Sequence, residues 1–598
     1  MNKIKKFVVV IILFISMIFV SSCSFVEKID PGDFEDYSKR LFNTLIGDDE
    51  LTIHFLFKDK KALGVEETTL SLPTPGSSSA LGKLIINLYF GPMANYKYEE
   101  LNFDQKMTYC VILDLLDQIN SKTYEMSYLD NNYLGSYLGY QAQLPILFQQ
   151  YRFDNYDDVL NYFNLMRLVP DTFKQYYEYE VTKAEAGYGM PDFVIDKVVS
   201  QCDTFIQNPD EHFLITTFED RLKVLDLTEE QISSLKYENA SIVKNDLCRG
   251  YEYIKDNLPS LKGKATNNLG LAHYVKELED GTKEEVGKDY YAYLFKDATG
   301  YDDNIEDAID YIQTHLDEVF ENFNNLKEEI TNDQNKIYQL NNVQLMDKNP
   351  SEQMEYYKTL LSGHFPKIES YPTIHIKDVD PSMENNFSPA AYVSSPIDDY
   401  ENETIFLNQA KINGNMNYLY TTLGHEGIPG HMYQNIYFKT QEVNLIRKVL
   451  KSSGYQEGWA TYVELYMYNF VEGVDSTVLE YLKYGDILSG VLTARLDMGI
   501  HYEGWDLEQT HNFILRYLAN YDLEKTRKTF EQLVEVPTNS QTYYYTYFKL
   551  CDMYNRCEEA LQEDFNVEEF HKLILDCGPV PLRFVEVVVD EYIESKTK

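Results

Sequence analysis

Basic residues are scarce in this chain. Lys and Arg number 53 against 96 Asp and Glu in 598 residues, a net charge of −43. A surface this acidic repels phosphate backbones, which argues against a nucleic-acid partner. It argues equally against electrostatic docking onto anionic lipid. Cysteine is sparse too. The seven cysteines include no C-x-x-C pair, so a cysteine-ligated zinc is not expected. Cys110, Cys202, Cys248, Cys551, Cys557 and Cys577 read as buried small residues, in a chain long enough to build a core without disulfides. There is no internal repeat and no low-complexity tract, and beyond Val20 no apolar run is long enough to span a bilayer.

The N-terminus carries a different signal. Lys3, Lys5 and Lys6 precede an apolar run from Phe7 to Val20, and Val20-Ser21-Ser22-Cys23 follows. The run is short for a spanning helix and typical of a secretory signal. Small residues directly before a cysteine resemble a bacterial lipobox, which implies cleavage before Cys23 and lipid on its thiol. Residues 1–22 are expected to be a signal peptide and 23–36 a lipid-anchored tether. The folded part is then expected outside the cytoplasm, held to the cell membrane.

From Tyr37 the pattern is mainly helical. Ile305, Ile309, Ile312, Leu316, Val319, Phe323 and Leu326 recur at steps of four and three, an apolar seam on one helix. Leu72-Pro73-Thr74-Pro75-Gly76 marks a loop, and Asp347 to Pro350 marks a break. Between Tyr371 and Asn408, Ile374, Ile376 and Ile405-Phe406-Leu407 read as short strands. Helix resumes near Tyr418. These signals predict a mainly α fold with a small β-sheet next to the motif region. Residues 37–598 are read as one large domain, with 370–598 carrying the chemistry.

That chemistry centres on Gly424-His425-Glu426-Gly427-Ile428-Pro429-Gly430-His431. Neutral imidazoles suit zinc, and a glutamate beside the first ligand can act as base on a water. In the familiar H-E-x-x-H helix the histidines lie about 40° apart around the axis. Here they are six apart, about 240° on an unbroken helix, which is the wrong face. Pro429 and Gly430 permit a local bulge that would return His431 to the side of His425. In Gln456 to Glu464, Glu457 is the expected third ligand. Glu464, seven residues on and on the same face, is expected to orient a ligand. In Arg495 to Trp505, His501 and Arg495 could bind a substrate carboxylate or a developing oxyanion. A tyrosine near Tyr544 could donate to the same oxyanion. The chain's two tryptophans, Trp459 and Trp505, both fall in these segments, which suggests that the segments meet around one cleft.

With these segments the chain resembles the bacterial family catalogued as domain of unknown function 885. That family carries H-E-x-x-P-G-H-H-x-Q, E-G-W-A, D-x-G-x-H-x-x-G-W and F-H-x-x-x-L-x-x-G-x-x-P-L. Here they read as His425 to Gln434, Glu457 to Ala460, Asp497 to Trp505, and Phe570 through Gly578, Pro581 and Leu582. Weaker similarity includes Gly189-Met190-Pro191. The resemblance implies a helical zincin-like body with a deep cleft, related to zinc carboxypeptidases and dipeptidases. By analogy one Zn2+ per chain would sit on His425, His431 and Glu457, with Glu426 as base. One position departs: the family's second histidine in P-G-H-H is Met432 here. The expected function is zinc-dependent hydrolysis of a peptide or peptide-like substrate. The rival expectations are a non-catalytic peptide-binding lipoprotein and a cell-wall amidase using the same metal site.

Overall fold

A computed structural model describes residues 34–598 except 48, 66–67, 76–88, 131–132, 265–266, 380–383 and 385–386. The signal segment, Cys23 and most of the tether lie outside the described residues, as does part of the proline-rich loop after Leu72. Helix accounts for 68% and strand for 4%, the mainly α architecture expected. The first described helix, Phe34–Leu45, begins before the expected end of the tether, because Phe34 and Tyr37 are both buried. No described helix is long and apolar enough to cross a membrane. The six described cysteines are free thiols, five of them buried and Cys551 half-buried.

Two large apolar cores organise the chain. One is formed by the N-terminal half around helix α1, Tyr156–Glu185, whose Val159, Tyr162, Phe163, Met166, Val169 and Phe173 are enclosed by later helices. The other is built mainly from residues after Leu271. Its long helix α2, Ile305–Thr331, starts where Asn304 accepts from the amides of Glu306 and Asp307. Ile305, Ile309, Ile312, Leu316 and Val319 are buried as the spacing predicts. The break at Asp347–Pro350 is the start of helix Pro350–Leu360, with Asn349 as its cap.

Strands β1, Lys276–Glu277, and β2, Lys283–Glu284, form a small ribbon. Strands β3, Thr373–Asp378, β4, Ala390–Val393, and β5, Asn402–Leu407, form a sheet in the order β3-β5-β4. The expected strands at Ile374–Ile376 and Ile405–Leu407 pair in parallel, Ile376 opposite Ile405. The third strand, β4, lacks a clear alternating pattern and lies outside the expected strands. It runs antiparallel to β5 and forms one edge. This sheet divides the two cores. Ala390, Ile405 and Leu407 face the C-terminal core, while Ala391 and Phe406 pack on the N-terminal one. The period of two in β4 and β5 serves both sides.

The site region follows as helices α3, Met416–Glu426, α4, His431–Lys439, α5, Ser453–Tyr466, α6, Ser476–His501, α7, Asn539–Leu561, and α8, Val567–Cys577. The F-H motif ties α8 to α5. His571 is wholly buried and stacks on Phe365 at 4.4 Å. Its Nδ1 donates to the His364 carbonyl (2.6 Å) and its Nε2 accepts from the Tyr462 hydroxyl (2.9 Å).

Burial pushes the His571 imidazole down from 6.5 to about 3, so it folds neutral. A depressed pKa means that its contribution is whole above about 6.5 and is lost as pH falls toward 3. His571→Gln is expected to cost about 1–3 kcal/mol at pH 7. It should also flatten the decline of stability between pH 6.5 and 3. Urea unfolding across this range checks both, and an unchanged acid limb would refute the assignment.

Candidate metal centre

The two histidines converge because α3 stops. Gly427 (φ −108°, ψ −105°) and Gly430 (φ −78°, ψ −136°) leave helical geometry on either side of Pro429. The chain between the helices bonds back on itself. The Gly430 amide donates to the Gly424 carbonyl (2.9 Å) and the Tyr433 amide to the Gly427 carbonyl (3.0 Å). The Trp459 indole, from α5, donates to the Pro429 carbonyl (2.9 Å). Gly430 is obligatory for steric reasons, since a Cβ there would run into the carbonyls of His425 and Gly424. The outcome is the bulge that the proline and glycine permitted. The imidazoles of His425 and His431 lie 4.8 Å apart, perpendicular to one another. Met432 points into the core, fully buried, so the departure from the family motif falls away from the cluster.

Helix α5 supplies the carboxylates. Glu457 and Glu464, two turns apart, both reach His425. Glu457 Oε2 lies 3.5 Å from His425 Nε2 and 3.2 Å from His431 Nε2, while Glu464 Oε2 lies 3.0 Å from His425 Nδ1. The candidate ligand atoms of His425, His431 and Glu457 all fall within 4.8 Å of one another. Glu457 Oε2 is buried and has no hydrogen-bond partner. Two imidazoles and a carboxylate around one orphaned oxygen fit a divalent metal such as zinc. A carboxylate on the far nitrogen of a histidine is the partner that fixes its tautomer for that role.

The electrostatics are those of a strongly coupled group. Burial alone would lower the His425 pKa, but Glu457, Glu464 and Glu426 raise it well above the ordinary value. Glu457 is buried, which would raise its pKa, yet His431 and His425 hold it well below the usual carboxylate range. Glu426 ends α3, and its Oε2 accepts from the amide of Tyr392 on edge strand β4 (2.8 Å). This contact ties the sheet to the site and was not visible in sequence.

Three expected site residues belong to the scaffold instead. His501 is fully buried, with both ring nitrogens engaged. Nδ1 accepts from the Leu271 amide (3.1 Å) and Nε2 donates to the Leu533 carbonyl (2.7 Å). Arg495 bonds Glu503 (2.5 Å) and Gln313 (3.1 Å) and lies over the Trp505 ring. The Tyr544 ring packs on Gly490, and its hydroxyl donates to the Asp486 carbonyl (3.3 Å). Helical rise puts His501 about 16 Å along α6 from Gly490. The D-x-G-x-H-x-x-G-W segment is therefore a structural knot. Asp497 accepts from Tyr291 (2.6 Å), Gln541 (3.2 Å) and the amide of Thr538 (3.0 Å). Thr538 has a left-handed backbone (φ 64°) at the start of α7, so this knot sets the direction of that helix.

The tyrosine that α7 delivers is Tyr543, one residue from the expected position. Its ring lies 6.2 Å from that of His425, inclined by 21°. Burial first, then Glu457, Glu426 and Glu464, push its phenol pKa up, so it stays protonated. Its hydroxyl makes no hydrogen bond to another described residue. Packing selects it over Tyr544: Gly458 of the E-G-W-A segment sits against Thr546 and Leu550, and Tyr543 shares that helix face at i, i+3 and i+7.

A second cluster, Glu50, His54 and Asp158, has metal-like spacing and is wholly buried. Its contacts favour a structural role. His54 Nε2 already accepts from the Arg152 amide (2.9 Å), and Glu50 Oε2 already pairs with the Lys60 ammonium (2.8 Å). Burial, with Arg152 and Lys60, lowers the His54 pKa to about 2.

Gly430→Ala is expected to destabilise the fold by at least about 2 kcal/mol, the scale of a severe backbone clash. It should also part His431 from His425. Thermal unfolding and histidine NMR resonances check this, and a variant with native stability and unchanged resonances would contradict the steric argument.

No curated protein matches this chain. Solved structures with a similar fold include two bacterial proteins. A protein assigned as a lipoprotein from Colwellia psychrerythraea is 15% identical, with a TM-score of 0.78 over 94% of this chain and 99% of its own. A protein from Shewanella oneidensis, likewise assigned as a lipoprotein and of unknown function, is 14% identical, with a TM-score of 0.62 over 93% and 99%. The family model described as bacterial protein of unknown function, DUF885, matches residues 89–589, and the chain therefore belongs to that family.

Proposed function

We propose that this protein is a zinc-dependent hydrolase of zincin type, acting on peptide-like amides from the outer side of the cell membrane. The observation that carries the reading is the convergence of His425, His431 and the unpaired oxygen of Glu457, with Glu464 behind His425. When bound, zinc would supply Lewis acidity toward a carbonyl and activate a water. His425 would present Nε2 because Glu464 holds the proton on Nδ1. Glu426, oriented by the Tyr392 amide, would take the proton from the attacking water and return it to the leaving nitrogen. Tyr543, protonated and without a partner, would donate to the oxygen that gains charge. The basic n-region, the apolar run and Cys23 support a lipid anchor, as does the assignment of both structural neighbours as lipoproteins.

The mature chain, purified without chelator, is expected to carry one zinc by elemental analysis and to lose it in His431→Ala. Glu426→Gln should keep the metal and lose turnover of a peptide panel by about 10²–10⁴-fold. Tyr543→Phe should lower kcat about 10²-fold with metal content unchanged. A Glu426→Gln enzyme with full activity would overturn the mechanism. A chain that binds peptides but never turns them over would favour a peptide-binding lipoprotein.

A further inference from the structure

A cleft of about 920 Å3 lies between the sheet and the N-terminal half, away from the histidine cluster. Residues of β5, with Lys377 and Asp378 of β3 and Val393 of β4, form one wall, and the segment from Gln149 to Asp154 together with Arg221 and Val224 forms the other. Its charges are unevenly committed. Each carboxylate that lines it has a partner: Asp154 has Arg152 (3.2 Å), Asp220 has Lys223 (2.6 Å) and Asp399 has Lys58 (3.5 Å). Glu403 has Lys439 (2.6 Å), and Asp378 accepts from Gln409 (2.7 Å). Two cations lining the cleft, Arg221 and Lys377, have no carboxylate partner among the described residues. Asp378 has only a neutral amide as partner, so against these two cations stands one uncommitted carboxylate, and in a chain of net charge −43 the balance in this cleft is still positive.

Arg221 is held in place as a binding group would be. Its guanidinium lies 4.1 Å from the centroid of the Phe153 ring and 4.7 Å from that of Tyr162. Nη2 donates to the Tyr151 carbonyl (2.7 Å), and Nη1 is enclosed without an acceptor. Burial lowers the pKa of this side chain, because no anion offsets its desolvation. A fixed guanidinium on the cleft wall that lacks a carboxylate partner favours an anionic ligand over a neutral one.

We propose that this cleft binds a small ligand bearing a single carboxylate, which pairs with Arg221 while Lys377 adds charge from the rim. Phe55, Phe406 and Val224 offer apolar surface for the rest of the ligand. The surrounding carboxylates select against a dianion, since each would repel a second negative charge. The site needs no metal, and it stands independently of the hydrolase reading.

The test is calorimetric titration of the mature chain after treatment with chelator. The probes are N-acetyl-alanyl-phenylalanine as the free acid, its C-terminal amide, and inorganic phosphate. The free acid is expected to bind at least tenfold more tightly than either of the others. Arg221→Met should lower that affinity at least tenfold, and Lys377→Ala several-fold. Because Arg221 is packed, Val224→Trp supplies a second variant: Val224 is 75% exposed on the cleft wall, so an indole there would fill the cleft without disturbing the core. It should also lower affinity at least tenfold. Equal binding of acid and amide, tighter binding of phosphate, no binding of any probe, or full affinity in Val224→Trp would each overturn the proposal. Metal removal beforehand separates these outcomes from failure of the zinc site.

Discussion

Two histidines six residues apart cannot share a face of a regular helix, and much of the site follows from how this chain escapes that limit. The helix ends at Glu426, two glycines take backbone angles outside the helical range, and a new helix starts at His431. The break exposes backbone groups that must be paired if the region is to be buried. The Gly430 amide finds the Gly424 carbonyl at the end of α3, the Tyr433 amide finds the Gly427 carbonyl in the loop, and the Pro429 carbonyl is met by the Trp459 indole. The tryptophan that holds the break is two residues beyond Glu457, on the same helix. One helix thus stabilises the distortion and supplies the carboxylate that the distortion makes reachable.

The other motif segments act at a distance from the chemistry. Asp497 and His501 are buried polar groups whose bonds go to the backbone of neighbouring segments, among them the amide of Thr538 and the carbonyl of Leu533. Such groups are costly to bury unless satisfied, so they specify one arrangement of the helices around them. Their effect on the site is to aim α7, which brings Tyr543 beside His425. Glycines set the closeness of the approach. Gly458 admits Thr546, Gly490 admits the Tyr544 ring, and Gly499 admits Trp505.

The sheet is small but central. Its residues alternate between two cores, and its edge strand holds Glu426 through the Tyr392 amide. The same strand reaches the cleft on its outer side through Val393. The Glu403–Lys439 pair, bonded also to Ser395 and Tyr392, braces this strand against α4.

Local pattern and chemistry determined a good deal. The mainly helical class, the seam of α2, the two outer strands of the pattern before the motif, and the set His425, Glu426, His431, Glu457 and Glu464 were all legible, because periodicity and ligand chemistry are properties of short stretches. Even the bulge was legible, since Pro429 and Gly430 restrict and permit backbone angles wherever they occur. Tertiary structure decided what a polar residue in a packed helix is for. His501 and Arg495 carry the right groups for oxyanion binding, yet their donors and acceptors are consumed by Leu271, Leu533 and Glu503. The choice of Tyr543 over Tyr544 rests on which face of α7 meets Gly458. The strand that orients Glu426 lies 34 residues before it, and the cleft around Arg221 joins segments hundreds of residues apart. Hydrogen-bond partners and helix faces of this kind are set by packing between distant segments, and no local spacing encodes them.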